Sequence, residues 1–181
     1  ALSFYNLGYC YFKQQEYDMA LNRFRQYTDV EQNHAAASYA DAYNRIGDCL
    51  FHNRQFAAAE ENYNKASQVL PSAGDYSVYQ KGFVLGLQKD YNGKIQAMDQ
   101  LIREYPESQY IDDALFEKGR TYVLLENSSS AIQTFNKLIG EYPESSLARK
   151  AGIQLGLIYY NGNQPEKAAE AYKQVISKYP G

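Results

Sequence analysis

The sequence predicts an all-α fold built from about five helix–turn–helix repeats. A glycine recurs at intervals of 35 to 39 residues, at Gly8, Gly47, Gly82, Gly119 and Gly156. Apolar residues around each copy fall at three- and four-residue steps, which is helical spacing. A proline closes every copy except the first. Self-similarity with a period of about 20–50 residues is typical of stacked repeats, each of which buries its apolar face against its neighbours.

Each copy keeps the same order of residues after its glycine. In the fourth copy Tyr122 follows three residues later, Ala131 twelve residues later and Phe135 sixteen residues later. Equivalent residues occur in the other copies, with two departures. Gln32 stands where the other copies have proline, and Lys94 stands where they have alanine.

Proline and serine mark the expected helix boundaries. The string Glu-Tyr-Pro-Glu-Ser occurs twice, around Pro106 and Pro143. Because proline lacks an amide hydrogen and disfavours helix at the preceding residue, a helix should stop just before each one. Ser108 and Ser145 can then cap the next helix. Turns inside the last three repeats are expected at residues 90–93, 127–130 and 161–164.

The recurring glycines indicate close helix packing. A glycine inside a helix costs about 0.5–1 kcal/mol relative to alanine, so five of them need a structural reason. We expect each glycine to meet the alanine twelve residues later, as in Gly119 with Ala131, where two antiparallel helices touch.

The pattern resembles the tetratricopeptide repeat family over nearly the whole chain. The clearest matches are Leu7, Gly8, Tyr11, Ala20 and Phe24 in the first copy, and Ile46, Gly47, Leu50, Ala59, Tyr63 and Pro71 in the second. The resemblance implies a right-handed α-solenoid and a single domain over residues 1–181. The expected repeats are residues 1–37, 38–72, 73–109, 110–146 and 147–181. Because the sequence opens almost directly in the first expected helix and stops at a repeat boundary, we also expect it to be an excerpt from a longer chain.

Composition excludes several classes of function. Eighteen Lys and Arg against 21 Asp and Glu give a net charge of −3, so no basic surface for nucleic acid is expected. No apolar run approaches the roughly 20 residues of a membrane-spanning helix. Two Cys and two His are too few for a disulfide framework or a zinc site, so no metal and no cofactor are expected.

No catalytic constellation can be assembled, and we expect a protein that is not an enzyme. Cys10 and Cys49 occupy equivalent positions, and both are interpreted as buried packing residues; a redox pair would require unusual stacking. His34 and His52 have no metal-binding or general-base motif around them and are expected in or near solvent. The glycosylation sequon at Asn127 is interpreted as a helix–helix turn.

In each repeat, one face of the first helix does not pack on the second helix and is a candidate for a functional surface. Positions three before, one after and four after each glycine point away from the second helix, and the resemblance implies that they line a concave groove. The candidate partner-binding residues are Tyr5, Tyr9, Phe12, Asp48, Phe51, Tyr79, Phe83, Phe116, Arg120 and Tyr160. Aromatic enrichment with few charges is typical of interface cores. We therefore predict a scaffold that binds a peptide segment of a protein partner, with aromatic anchors and with Asp48 and Arg120 setting polarity.

Three alternatives remain open. The aromatic side chains could fill the interior of a tight superhelix, or they could bind a small molecule or glycan. The repeats could also be a structural spacer within a larger protein, or self-associate through uncapped ends. A clamp for a C-terminal carboxylate, which some family members carry, is not favoured, because Tyr5, Tyr9 and Tyr79 take the places where polar or basic groups would be needed.

Residues 101–108 and 138–145 resemble one branch of the family in particular. Both contain Leu-Ile followed by Glu-Tyr-Pro-Glu-Ser. This phrase is similar to repeats of bacterial cell-envelope proteins, such as TolA-binding and outer-membrane assembly proteins. The resemblance implies a periplasmic or envelope-associated location.

Overall fold

The computed structural model describes residues 1–179, which fold into ten α-helices and one short 3-10 turn, with no strand among them. The helices are α1 (Leu2–Lys13), α2 (Tyr17–Val30), α3 (Ala37–His52), α4 (Phe56–Val69), α5 (Asp75–Leu87), α6 (Tyr91–Glu104), α7 (Ile111–Leu124), α8 (Ser128–Glu141), α9 (Ser146–Asn161) and α10 (Pro165–Lys178). The 3-10 turn is Pro71–Ala73. The prediction of an all-helical fold is confirmed.

The helices follow one another as helix–turn–helix pairs, one pair for each predicted repeat. They cluster into two compact units, Ala1–Leu101 and Ile102–Gly181, so the division falls inside α6. In the first unit α1 packs on α2, α2 on α3, α3 on α4 and α4 on α5. In the second unit α7 packs on α8, α8 on α9 and α9 on α10. Helices α1 to α5 and α7 to α10 therefore each pack against a sequence neighbour within their unit, as in repeat architectures.

The proline boundaries and the predicted turn at residues 161–164 agree with the structure, whereas the other two predicted turns do not. α6 ends at Glu104 and α8 at Glu141, each two residues before its proline. Ser145 is the N-cap of α9, and its Oγ accepts a hydrogen bond from the Leu147 amide at 3.1 Å. The predicted turns at 90–93 and 127–130 are wrong, because α6 and α8 already begin at residues 91 and 128.

The turns inside the repeats share one strained residue. In each repeat the residue seven positions after the recurring glycine has φ between 53° and 65°. These residues are Gln15, Arg54, Lys89, Glu126 and Asn163. The left-handed region costs a residue with a Cβ roughly 1–2 kcal/mol. None of the five is glycine, so glycine does not mark this position in the sequence.

The recurring glycines accommodate large side chains. A Cβ on Gly119 would lie 2.5 Å from Cε1 of Phe135, the residue sixteen positions later, and Gly8 faces Phe24 in the same way at 2.8 Å. The predicted close contact between α7 and α8 at Gly119 is present, and the atoms nearest to a Cβ there belong to the ring of Phe135. Phe24 and Phe135 are 0% exposed, so these rings form the core of their helix pairs.

Lys94 shows how the third repeat tolerates a charge in the alanine position. Its residue is only 9% exposed, and a Cβ on Gly86 would lie 2.9 Å from its Cδ. Its Nζ lies 5.3 Å from the centre of the Phe83 ring. The alkyl stem thus occupies space that Gly86 leaves open, and the ammonium group rests over an aromatic face.

Candidate functional site

Helix α3 carries three charged residues on one face, Asp41, Arg45 and Asp48. Their spacing of four and three residues places them side by side on a helix. Arg45 Nη1 lies 2.6 Å from Asp48 Oδ2, and Arg45 Nε lies 3.6 Å from Asp41 Oδ1. The Arg45 and Asp48 side chains are 17% and 8% exposed. We call these three residues the α3 ion cluster.

Two tyrosines of α1 bind the ion cluster from one side. The hydroxyl groups of Tyr5 and Tyr9 both donate hydrogen bonds to Asp41 Oδ2, the first at 2.7 Å. Their rings pack on α2, with centroid distances of 5.1 Å from Tyr5 to Tyr27 and 5.4 Å from Tyr9 to Phe24. The ring of each tyrosine packs on α2 and its hydroxyl group is hydrogen-bonded to Asp41, so the orientation of the side chain is fixed.

Helices α4 and α5 bind the ion cluster from the other side. Tyr63 and Tyr76 donate hydrogen bonds to Asp48 Oδ1 at 2.7 and 2.8 Å. Nearby, Ser77 Oγ donates to Asn44 Oδ1 at 2.9 Å, and both residues are buried. Asp48 therefore connects α3 to α4 and α5.

Arg45 is also in contact with aromatic rings of two other helices. Its guanidinium carbon lies 5.6 Å from the Phe12 ring centre and 4.9 Å from the Tyr76 ring centre. Cation–π attraction adds to the charge pairing at both contacts. Through Arg45 and its acids, the first helices of three successive repeats are joined in the first unit.

The protonation of the cluster follows from burial and charge. Burial raises the pKa of Asp48, and the Arg45 charge and the hydrogen bonds from Tyr63 and Tyr76 oppose that rise. Burial lowers the pKa of Arg45. The charge of Asp48 and the other groups around Arg45 raise this pKa by more than burial lowers it, so the net shift is upward. Burial and the hydrogen bond to Asp41 raise the pKa of Tyr9 to about 12. Arg45 and the tyrosine hydroxyls therefore keep their protons at neutral pH.

Six of the predicted site residues lie in the first unit as partly exposed rings. They are Tyr5, Tyr9, Phe12, Phe51, Tyr79 and Phe83, and we call them the aromatic face. Tyr79 and Phe83 form an edge-to-face pair with centroids 5.0 Å apart. Phe51 packs on Phe56 at 5.8 Å. Each ring thus keeps an exposed part while its remaining surface is packed.

Three predicted residues lie in the second unit. Phe116 is half-buried and packs on Phe135 with centroids 5.9 Å apart. Arg120 is exposed, and its Nη1 lies 3.2 Å from Glu117 Oε1. Tyr160 is 66% exposed.

Asp48 is placed differently from what the sequence led us to expect. It was expected on an exposed surface facing a partner, yet it is only 7% exposed and its carboxylate is occupied by Arg45, Tyr63 and Tyr76. Asp41 and Arg45 were not among the site residues predicted from the sequence. Their signal was the run of charges at steps of four and three residues on a helix face expected to be aromatic.

The remaining candidates for chemistry are dispersed. Cys49 is buried as predicted, but Cys10 is exposed, so the prediction that both are buried is wrong. His34 and His52 are exposed, and the His52 ring stacks on Tyr17 at 3.9 Å. Within residues 1–179 no group of three or more His, Cys, Asp or Glu is arranged to hold a metal ion. In the same part of the chain no helix has both the length and the apolar character to cross a membrane.

Solved structures with the same fold cover almost the whole chain. A crystal structure of MamA protein is 16% identical, with a TM-score of 0.81, and the match covers 98% of this chain and 90% of that one. MamA from Desulfovibrio magneticus RS-1 is 18% identical, with a TM-score of 0.76, over 97% and 92% of the two chains. YrrB, described as a TPR protein with an unusual peptide-binding site, is 19% identical, with a TM-score of 0.72, over 99% and 87%. These likenesses confirm the helical-repeat fold of the α-solenoid class.

Family models give the same result from the sequence alone. One tetratricopeptide repeat model matches residues 5–72, and a second matches residues 76–108, 113–145 and 150–181. No curated protein sequence matches the chain. Because the matched residues cover most of the chain and the helix pairs follow the same period, this chain belongs to the tetratricopeptide repeat family.

Proposed function

We propose that the chain is a non-catalytic protein–protein interaction scaffold, and that the aromatic face of the first unit binds a peptide segment of a partner protein. The observation that carries this proposal is the set of half-exposed rings, two of which are held in place by hydrogen bonds to Asp41. Family membership supports the general class of function.

Rigid aromatic side chains are suited to binding. Tyr5 and Tyr9 are fixed by Asp41 and by the core of α2, so little side-chain entropy is lost when a partner covers them. Aromatic residues also supply most binding hot spots. An interface built on such rings gains apolar burial without first breaking a hydrogen bond.

The polar cluster limits what kind of segment fits. Asp41 is the more exposed acid, with a side chain that is 32% exposed against 8% for Asp48. A bound segment could therefore reach Asp41 with a hydrogen-bond donor or a cation. In the second unit, Phe116, Arg120 and Tyr160 occupy the corresponding helix positions and are included as further candidate contacts.

The proposal is tested by selecting peptides from a random library on the whole chain and measuring the affinity of the selected sequences by fluorescence anisotropy. Tyr79→Ala with Phe83→Ala should weaken binding about tenfold or more, since hot-spot truncations cost about 2 kcal/mol or above. Leu87→Ala is the matched control, because Leu87 lies on the same helix, is 53% exposed and is not part of the aromatic face. Equal affinity of the double variant and the wild type, with helicity retained, would overturn the proposal.

Self-association is a second candidate, favoured by apolar residues that are exposed in α1 and α10. Cys10 is exposed whereas its equivalent Cys49 is buried, and Ile176 is 72% exposed. Sedimentation measured across a range of concentrations tests this candidate. A mass that stays at the monomer value argues against it.

We also propose a location in the bacterial cell envelope. The support is the repeated phrase at residues 101–108 and 138–145, which resembles the envelope branch of the family. Fractionation of cells that express the native gene tests it. Recovery with the cytosolic marker proteins would refute it.

A further inference from the structure

The last repeat lacks a side chain that the other four repeats possess. Four residues before the recurring glycine, the first four copies carry Phe4, Tyr43, Val78 and Leu115. The fifth copy carries Gly152 in α9. Val78 and Leu115 are 3% and 2% exposed, so this position helps to fill the packing between helices. Gly152 has no side chain there, and Val175 Cγ2 of α10 lies 2.5 Å from where its Cβ would be.

A cavity of about 470 Å³ lies at this position in the second unit. Its lining includes Ala148, Gly152 and Leu155 of α9, Ile139 of α8, and Ala171 and Val175 of α10. Ligand pockets in proteins commonly measure about 300–1,000 Å³ and are mainly apolar with a few polar groups. The volume is in that range, and the lining combines these apolar residues with polar ones such as Asn136, Gln174 and Ser177.

The helix α10 does not close this cavity. Val175, which lines it, is only half-buried. A Cβ on Gly152 would lie 2.5 Å from Val175 Cγ2, so the two residues already touch while the space beside them stays open.

The surroundings of the cavity are positively charged. Lys173 and Lys178 line it, and Lys178 also lines a neighbouring hollow together with Arg149 and Lys150. The two hollows contain only two acids, Glu144 and Glu170. In the described part of the chain none of the four cations forms a salt bridge. This local excess contrasts with a net charge of −3 for the whole chain.

We propose that this cavity is a second binding site, which takes one bulky apolar side chain from a partner peptide with acidic residues on either side. The apolar part of the ligand contacts Ile139, Leu155 and Val175, which line the cavity. The acidic flanks match the four unpaired cations. The site is separate from the aromatic face and does not depend on the function proposed for it.

The test uses three short capped peptides, titrated into the ¹⁵N-labelled whole chain. The first has phenylalanine between two glutamates, the second has alanine between two glutamates, and the third has phenylalanine between two lysines. The first peptide should shift the amide signals of Gly152, Ile139 and Val175 in a saturable way, and the other two should bind about tenfold more weakly or not at all. Equal binding of the second or third peptide, or no saturable shift at these residues, would overturn the proposal.

Variants separate a filled site from a misfolded one. Ala171→Phe fills the cavity from α10 and should reduce affinity for the first peptide about tenfold. Ala169→Phe is the matched control on the same helix, because Ala169 is exposed and does not line the cavity. Lys173→Glu with Lys178→Glu changes only exposed side chains and should also weaken binding. Unchanged affinity in both the filled and the charge-reversed variants refutes the site, whereas Tyr79→Ala with Phe83→Ala should leave it intact.

Discussion

Replacing the recurring glycines by alanine should have opposite effects in two repeats. A Cβ on Gly119 would lie 2.5 Å from Cε1 of Phe135, a ring that is 0% exposed and cannot move without disturbing the core. A Cβ on Gly82 would instead meet the terminal methyl group of Met98, the mobile end of a flexible side chain. The two substitutions add the same methyl group at equivalent helix positions. The facing side chain therefore decides whether the free energy of unfolding rises or falls.

The magnitudes follow from two opposing terms. Alanine is favoured over glycine in a helix by about 0.8–1.0 kcal/mol. Overpacking a rigid core costs about 1–3 kcal/mol. Because a Cβ would lie only 2.5 Å from the ring, the overpacking cost falls at about 2–3 kcal/mol, and Gly119→Ala should lower the free energy of unfolding by about 1–2 kcal/mol net. Gly82→Ala should raise it by up to about 1 kcal/mol, because the methyl group can turn away.

Urea unfolding followed by far-UV circular dichroism measures both effects. Amide hydrogen exchange in α5 and α7 assigns each change to its own repeat, since the two glycines lie in different units. Phe135→Leu provides the control background, in which Gly119→Ala should lose most of its penalty. Two results would contradict the predicted clash with Phe135. One is a Gly119→Ala variant as stable as the wild type, and the other is an equal loss of stability when Gly119→Ala is combined with Phe135→Leu.

Three further predictions concern the ion cluster and the turns. Asp48→Ala leaves Arg45 and Tyr63 with buried unpaired groups and should cost about 3–5 kcal/mol in urea unfolding, whereas Asp48→Asn, which keeps an acceptor, should cost clearly less. Glu126→Gly removes the left-handed strain at φ 56° and should stabilise the chain by up to about 1 kcal/mol, with Glu126→Ala as the control that gives no gain. Because folding raises the pKa of Tyr9 from 10.0 to about 12, its contribution to stability is complete below pH 10 and should be lost as the pH rises through 12. Thermal melts of wild type and Tyr9→Phe between these pH values measure that loss, and a variant that loses stability as steeply as the wild type would contradict the assignment.

Helix pairing could be predicted from the sequence because it rests on period and composition. The spacing around Gly119 and the prolines at 106 and 143 located the repeats and two helix ends correctly. The sequence did not indicate that the Phe135 ring supplies the atoms nearest to Gly119, since that depends on how far a side chain reaches across two helices. That reach is a property of the packed pair and has no sequence period.

The turns and the polar part of the site could not be predicted in the same way. Lys89 and Glu126 adopt positive φ although neither residue favours it, so turn chemistry gave no local signal. The residues of the aromatic face were identified by position, but the role of Asp48 was not. Its burial depends on Tyr63 and Tyr76, which approach it from helices 15 and 28 residues away in the chain.

Repeat proteins commonly evolve by gaining or losing whole repeats, and the contacts of Arg45 restrict that route here. This one guanidinium is in contact with Phe12 in the repeat before it and with Tyr76 in the repeat after it. A duplication or deletion on either side would remove one of the two rings that cover the Arg45 guanidinium. The first three repeats must therefore be inherited, shuffled or transplanted into engineered arrays as a block.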